Sequence, residues 1–324
     1  MIIIRTPYRV SLFGGGTDHP SWYVDNGGAV LSFTIDKYSY INVRELPPFF
    51  EHTHRISYSK VETVTSISDI KHPAVRAGFN KFASEMNLEL HHHGDLPARS
   101  GVGSSSAFAV GLIHALHAIK GKNVTGLKLA ELAIELEQKD LAENVGSQDQ
   151  IACALGGVNF IEFGKGPTWS AKPISLSENY RNEIEQRMVL LYSGIDRLSS
   201  DISRSLIENL ESKFAYMRRT HELADECLNI LKSEGDLTQV GEMLNESWDL
   251  KRRMNPAAVT PALEEFFIKA KSAGAEGGKI LGAGGGGFCL FWVKPETRDS
   301  FIKKMSPSVY VPARIGLEGS TRII

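Results

Sequence analysis

Residues 97–107 read Pro97-Ala98-Arg99-Ser100-Gly101-Val102-Gly103-Ser104-Ser105-Ser106-Ala107, and an apolar helical pattern follows at once through Phe108, Val110, Leu112, Ile113 and Leu116. Gly101 and Gly103 lack a Cβ, so the chain can turn sharply there and bring its backbone close to a ligand. Ser104, Ser105 and Ser106 fall at the helix start, where unpaired N–H groups and the positive end of the helix dipole favour an anion. The stretch reads as a phosphate cradle; the loop by itself leaves open a plain serine-capped helix after a glycine turn. Two commoner phosphate loops are excluded. No Gly-x-x-x-x-Gly-Lys-Ser/Thr occurs in the chain, and Gly101-x-Gly103 lacks the third glycine of a dinucleotide fingerprint.

Outward from the loop, a strand around Leu88–His92 leads into it and a helix near Pro73–Met86 precedes that strand. Val30–Ile35 and Tyr38–Val43 are rich in β-formers, with Asp36-Lys37 between them as a hairpin turn. Behind the loop the helix runs to about residue 119, and a second spans roughly 127–141. A strand at Val158–Phe163 precedes the boundary loop Gly164-Lys165-Gly166-Pro167. The remainder reads as a strand at Met188–Tyr192, long charged helices over about 200–232 and 236–253, a helix over 260–273 and a strand at Gly287–Val293. There is no internal repeat. The irregular alternation predicts an α+β fold rather than a doubly wound parallel sheet.

The 324 residues suffice for one large domain or two ordinary ones. At 42% hydrophobic and 23% charged the chain is globular, and a formal charge of −2 offers no general attraction to nucleic acid or anionic membrane. Phosphate binding must therefore come from a local site. Cys153, Cys227 and Cys289 are odd in number and lack metal-ligand spacing, which points to a reduced, cytoplasmic protein. Met1–Pro7 is too short an apolar run for a signal peptide, and no segment approaches the length needed to span a bilayer.

Two more glycine-rich segments flank the loop. In the first, Arg5-Thr6-Pro7-Tyr8-Arg9-Val10-Ser11-Leu12-Phe13-Gly14-Gly15-Gly16-Thr17-Asp18, a strand delivers Arg9 and then breaks at three glycines that present Asp18. In the second, Gly277-Gly278-Lys279-Ile280-Leu281-Gly282-Ala283-Gly284-Gly285-Gly286-Gly287-Phe288, a glycine run feeds a strand.

Taken in order, the three segments resemble the three signature motifs of the GHMP kinases (galactokinase, homoserine kinase, mevalonate kinase and phosphomevalonate kinase), and the resemblance spans nearly the whole chain. Gly14–Asp18 is similar to the sugar-1-kinase branch, although galactokinases carry Gly-Glu-His-Thr-Asp there. Gly146-Ser147-Gln148-Asp149-Gln150, Trp248-x-x-Lys251 and Gly277-Gly278-Lys279 resemble the branch acting on D-glycero-D-manno-heptose 7-phosphate, and L-fucose kinase domains share much of this pattern. The resemblance implies a two-domain α+β fold. Residues 1–166 would form a GHMP N-terminal domain carrying the phosphate loop, and 167–324 a ferredoxin-like C-terminal domain, with the active site between them.

The implied reaction is ATP- and Mg²⁺-dependent phosphorylation of the anomeric hydroxyl of the heptose 7-phosphate, giving the 1,7-bisphosphate for nucleotide-activated heptose synthesis. The alternatives are a kinase for a free sugar of the fucose or galactose type, or a non-catalytic regulator with the same fold. Retention of Arg9, Asp18, Ser105 and Asp149 weighs against the regulator.

By the same resemblance, Gly101, Val102, Gly103, Ser104, Ser105 and Ser106 hold the triphosphate, and Ser105 reaches Mg²⁺. A carboxylate from the next helix completes the metal site; Glu135 is the expected ligand, with Glu137 as the alternative because the connection to Asp149 is about two residues longer than usual for the family. Asp149 takes the acceptor's proton and Arg9 sits beside it. Gly16, Thr17 and Asp18 meet the sugar hydroxyls. An anionic sugar needs a cation away from ATP, for which Lys251 and Arg197 are preferred and Arg252, Arg55 and Lys279 are further candidates. His91-His92-His93 reads as structural, because alternate residues of a strand face opposite ways. The expected partners are thus ATP and a small sugar phosphate, with no nucleic acid or membrane; oligomeric state is open.

Overall fold

The computed structural model describes residues 1–166, 168–195, 213–256 and 259–324. In chain order they form β1 (Ile2–Phe13), α1 (Pro20–Asn26), β2 (Gly28–Glu45), β3 (His54–Ser57), β4 (Val61–Val64), α2 (Pro73–Phe82), β5 (Leu88–Gly94), α3 (Ser104–Ile119), α4 (Gly126–Glu135), a π turn at Leu136–Asp140, α5 (Gln148–Leu155), β6 (Val158–Phe163), β7 (Trp169–Pro173) and α6 (Glu178–Arg187). There follow β8 (Met188–Tyr192), α7 (Phe214–Lys232), α8 (Thr238–Met254), α9 (Pro261–Ala273), β9 (Ala275–Ile280), β10 (Phe288–Val293), α10 (Arg298–Lys304), β11 (Val309–Val311), β12 (Ile315–Gly316) and β13 (Thr321–Arg322).

Among the described residues these strands make two sheets. The larger runs β13-β1-β2-β5-β3-β4, with β6 and β12 also on β2 and β7 on β6; the smaller is antiparallel in the order β11-β8-β10-β9. Helices and sheets are mixed in a two-domain α+β arrangement. The larger sheet draws on both sides of residue 166, since β7, β12 and β13 all join it. A division of the chain at 166/167 therefore stands as a proposal about folding units, with the sheet itself running across it.

The expected hairpin at Asp36-Lys37 is not formed. β2 continues through it as an 18-residue strand. The physical reason is a change of neighbour along one edge: residues 28–33 pair with β6, Thr34 and Ile35 with β12, and 39–45 with β5, while β1 follows nearly the whole length on the other edge. Asp36 satisfies the hand-over, its N–H donating to Arg314 O at 3.0 Å and its carboxylate accepting from Arg314 N at 2.9 Å. A polar pair inside a β-rich run thus marks a change of partner.

α3 is apolar nearly all round because it is covered nearly all round: from Ser106 to Ala118 almost every residue is buried, against β1, β2 and α2 on one side and α4 and α5 on the other. This fixes the helix that begins at the serine loop. The smaller sheet packs Val189, Leu191 and Phe291 against Trp248 of α8, Leu263 of α9 and Phe301 of α10. Among the described residues no helix is long and apolar enough to cross a membrane.

Candidate active site

β1 ends in the cavity. Its residues Arg9 and Ser11, two apart and so on one face of the strand, both line a cavity of about 260 Å³ walled also by the serine loop, α5, α7, α8 and the glycine run after β9. Arg9 N donates to Val102 O at 3.0 Å, which ties the strand to the phosphate loop. The guanidinium of Arg9, only 4% exposed, donates to both carboxylate oxygens of Asp149, Nε to Oδ1 at 2.7 Å and Nη2 to Oδ2 at 2.6 Å, and Nη1 donates to Gly101 O at 2.6 Å. Burial alone would lower the pKa of Arg9, and the charge and hydrogen bonds of Asp149 more than offset it. Asp149 lies in the first turn of α5, where the helix dipole favours an anion. Its side chain is bonded to Arg9 across the cavity.

The phosphate loop and the third glycine segment interlock. A Cβ on Gly101 would lie 2.7 Å from Leu281 O, and one on Gly282 would lie 2.6 Å from Gly101 Cα, so only glycine permits this approach. Phe288 N donates to Ser100 O at 2.8 Å across the same seam. Gly103 caps α3 in a left-handed conformation (φ 73°) with no side-chain bond, so the first N–H groups of α3 have no cap. Val102 keeps its side chain in the core. Ser104 Oγ accepts from Arg99 N at 3.0 Å, while Ser105 Oγ and Ser106 Oγ donate to Glu137 Oε1 and Oε2 at 3.0 and 2.8 Å.

Glu135, the expected carboxylate, is elsewhere: it pairs with Lys81 at 3.0 Å on an exposed face. The π turn is the reason. Its wider turn redirects the residues after Glu135 and carries Glu137 inward. Glu137 is 1% exposed, bonded to Ser105, Ser106 and Gln150, and burial lifts its pKa to about 7 against those hydrogen bonds. Two carboxylate oxygens beside serine hydroxyls at an uncapped helix start form an oxygen donor set that suits Mg²⁺. Among the described residues no cluster of three or more His, Cys, Asp or Glu offers a rival metal site.

Asp18 sits at 3% exposure with Oδ1 accepting from Gly16 N at 2.8 Å and Oδ2 from Gln148 N at 3.2 Å. Burial and then the Asp149 charge raise its pKa, against those two amide bonds. Gly146 is demanded by this contact, since a Cβ there would lie 1.9 Å from Asp18 Oδ2. Thr17 is corrected from its expected role. It is fully buried, and its hydroxyl bonds Gly14 O at 2.8 Å, Ala29 O at 3.0 Å and Ala29 N at 3.2 Å, so it builds the turn and does not line the cavity.

Lys251 and Lys279 both reach the cavity. Lys251 donates to Gly282 O and Lys279, 7% exposed, to Leu12 O at 3.0 Å. Desolvation and neighbouring cations hold Lys251 at about 8 and Lys279 at about 7. Arg252 pairs with Asp249 and Glu264 outside the cavity, and Arg55 with Glu89 on the sheet. Arg197 lies outside the described residues. The histidine run is structural: His91 bonds Glu89, and His92 bonds Ser39 and packs on Phe108.

Sequence reasoning passed over Ser11, Gln148 and His19, which also line the cavity. The signals were present, Ser11 in its spacing from Arg9 and Gln148 in its place beside Asp149.

Comparison with known proteins agrees with this geometry. The profile described as "GHMP kinases N terminal domain" matches residues 70–157 and that described as "GHMP kinases C terminal" matches 222–311, together more than half of the chain. The chain belongs to the GHMP kinases. It is a phosphotransferase of that family, for which ATP is the co-substrate. The chain is 28% identical over 312 residues to the D-glycero-alpha-D-manno-heptose 7-phosphate kinase of Campylobacter jejuni, covering 93% of this chain and 92% of that protein. It is 25% identical over 318 residues to a galactokinase of Pyrococcus furiosus, covering 89% and 88%. A crystal structure titled as a D-glycero-D-manno-heptose 1-phosphate kinase from Bacteroides thetaiotaomicron superposes with a TM-score of 0.83 at 22% identity, over 100% of this chain and 99% of that one, which shows the fold.

Proposed function

We propose that this GHMP kinase transfers the γ-phosphoryl group of ATP to the anomeric hydroxyl of a sugar phosphate, D-glycero-D-manno-heptose 7-phosphate, giving the 1,7-bisphosphate for nucleotide-activated heptose synthesis. The observation that carries this reading is one cavity in which a carboxylate–guanidinium pair, Asp149–Arg9, shares space with two lysines whose hydrogen bonds, among the described residues, go to main-chain carbonyls and not to a carboxylate, Lys279 also lying over the Phe13 ring. Buried ammonium groups without a carboxylate call for an anion. A sugar carrying its own phosphate supplies one, and a free sugar does not. The sugar kinases among the relatives support a sugar acceptor.

In this reading Asp149 accepts the proton of the anomeric hydroxyl as that oxygen attacks the γ-phosphorus. Arg9 orients Asp149 through two hydrogen bonds and faces the charge that develops on the phosphoryl group. The backbone of Gly101 and Gly103 and the serine turn of α3 receive the triphosphate. Ser105 and Glu137 hold Mg²⁺, which when bound neutralises charge on the β- and γ-phosphates. Asp18 and the Gly16 backbone meet sugar hydroxyls, and Lys251 with Lys279 holds the acceptor's phosphate. The three free, buried cysteines accord with a reduced, cytoplasmic setting.

A coupled ADP-release assay over free and phosphorylated sugars tests the assignment. The heptose 7-phosphate is expected to saturate at a far lower concentration than free heptose, and equal turnover of the two would reject it.

A further inference from the structure

Two oxygens of cavity-lining residues have no hydrogen-bond partner among the described residues: Ser11 Oγ and Gln148 Oε1. Ser11 is 5% and Gln148 8% exposed, and both residues line the cavity beside Asp18. A buried polar atom without a partner carries a desolvation cost that a ligand O–H would remove. Both oxygens stand on the elements that carry the catalytic pair. Ser11 follows Arg9 by two residues on β1, and Gln148 precedes Asp149 in α5 with its own N–H fixed on Asp18 Oδ2.

Gly15 lies between Ser11 Oγ and the Gln148 side chain, whose amide nitrogen is the end nearest to it. Its φ is outside the left-handed region, so the backbone does not call for glycine there. A Cβ on Gly15 would lie 3.3 Å from Ser11 Oγ and 3.5 Å from Gln148 Nε2, and any longer side chain would begin in the space between them. The neighbouring glycines of the chain answer to clashes or to left-handed turns. At Gly15 the approach is tight rather than forbidden, since a Cβ would only press on the Ser11 hydroxyl, and what its bare backbone leaves is room.

We infer that Gly15, Ser11 and Gln148 form a hydroxyl-recognition slot, where the two unpartnered oxygens accept O–H donors of a polyol next to its reacting hydroxyl and the missing side chain at 15 sets how bulky an acceptor enters. This rests on the sugar-kinase reading and adds to it the residues that discriminate among polyols.

The test compares the wild-type chain with Ser11→Ala, Gln148→Met and Gly15→Glu on a full acceptor and its monodeoxy analogues, with nucleotide affinity and thermal midpoint measured alongside. The wild type is expected to reject at least one analogue by about ten- to a hundredfold in kcat/KM, because a site built to bond a hydroxyl is left unpaired without it. Gln148→Met or Ser11→Ala abolishes that rejection by raising KM for the full acceptor only. Both keep or raise the thermal midpoint, since each removes an unpartnered buried atom. Gly15→Glu raises acceptor KM with nucleotide affinity unchanged. Turnover with every analogue discriminated alike in all three variants would overturn the slot alone. A wild-type chain that phosphorylates no sugar would overturn the sugar-kinase reading and the slot together.

Discussion

Where we propose that the reaction takes place the charged groups of the cavity are already paired with one another or with side chains, whereas the two lysines proposed for the acceptor's phosphate are not. Arg9 and Asp149 hold each other by two hydrogen bonds, and Glu137 has both oxygens engaged by Ser105, Ser106 and Gln150. Across the same space, among the described residues, Lys251 and Lys279 donate to carbonyls and meet no carboxylate, and Ser11 Oγ and Gln148 Oε1 have no hydrogen-bond partner. The contrast separates groups set in place before any ligand arrives from groups whose partners come with the ligand. Preorganised donors and acceptors need no rearrangement during reaction. Unpartnered groups gain selectivity, because a ligand lacking the matching atom leaves them as costly as before.

The most severe way to break the paired end is Asp149→Asn. It keeps the shape but removes proton acceptance, so turnover should fall by about a hundredfold to ten-thousandfold while ATP affinity holds. Near-normal turnover would remove the base role from Asp149. Next in size is Glu137→Gln, for which the Mg²⁺ concentration needed for half-maximal nucleotide binding should rise by about ten- to a hundredfold, metal sites being sensitive on that scale to their carboxylates. Ser105→Ala should move the same titration in the same direction by less. Glu135→Gln, which breaks only the exposed pair with Lys81, should leave it where it was. An equal response to the two glutamate substitutions would undo the distinction drawn from the π turn.

At the open end, Lys279→Met should raise KM for the phosphorylated acceptor by about thirtyfold, the range for hydrogen bonds to charged groups, and leave a free sugar unaffected. The same change removes a buried ammonium without a carboxylate partner, so the thermal midpoint should hold or rise. A variant that loses stability and treats both acceptors alike would make Lys279 a structural residue of the seam at Leu12.

The two ends also differed in how far they could be read in the chain. The paired end lies in contiguous motifs, and Arg9, Asp18, Ser105 and Asp149 were each visible in a short pattern whose chemistry demands those residue types. Glu137 was harder: on a regular α-helix residues two apart face nearly opposite ways, and only the π turn, which has no composition of its own, decides between 135 and 137. Thr17 read as a sugar ligand because its hydroxyl is polar, and in the fold that hydroxyl is spent on Gly14 and Ala29. The single long strand β2 was read as a hairpin because a change of edge partner is a tertiary event with a local polar mark. Lys279 was one of several basic candidates, and its distinction from Arg252 and Arg55 is burial, which no spacing reveals.

The smallest expected effect sharpens the comparison through pH. Lys279 sits at about 7 because burial, then Lys251 and Arg9, disfavour its charge, whereas in the unfolded chain it titrates near 10.5. Between these values the unfolded state binds more protons, so the ligand-free protein should gain stability from pH 7 toward 10; the cost of the buried charge is fully present below 7. Lys251, at about 8, acts in the same sense one step later. Acceptor binding should run the opposite way. The acceptor's phosphate, with a second pKa near 6, stays dianionic above pH 7. Its lysine partner, by contrast, must be reprotonated to bind it, so affinity for the phosphorylated acceptor should weaken roughly fivefold from pH 7 to 8. Nucleotide affinity should stay level, and Lys279→Met should flatten both trends. If stability and acceptor affinity instead rise together across that interval, the lysines are not what holds the acceptor's phosphate, and the unpaired end of the cavity has another ligand.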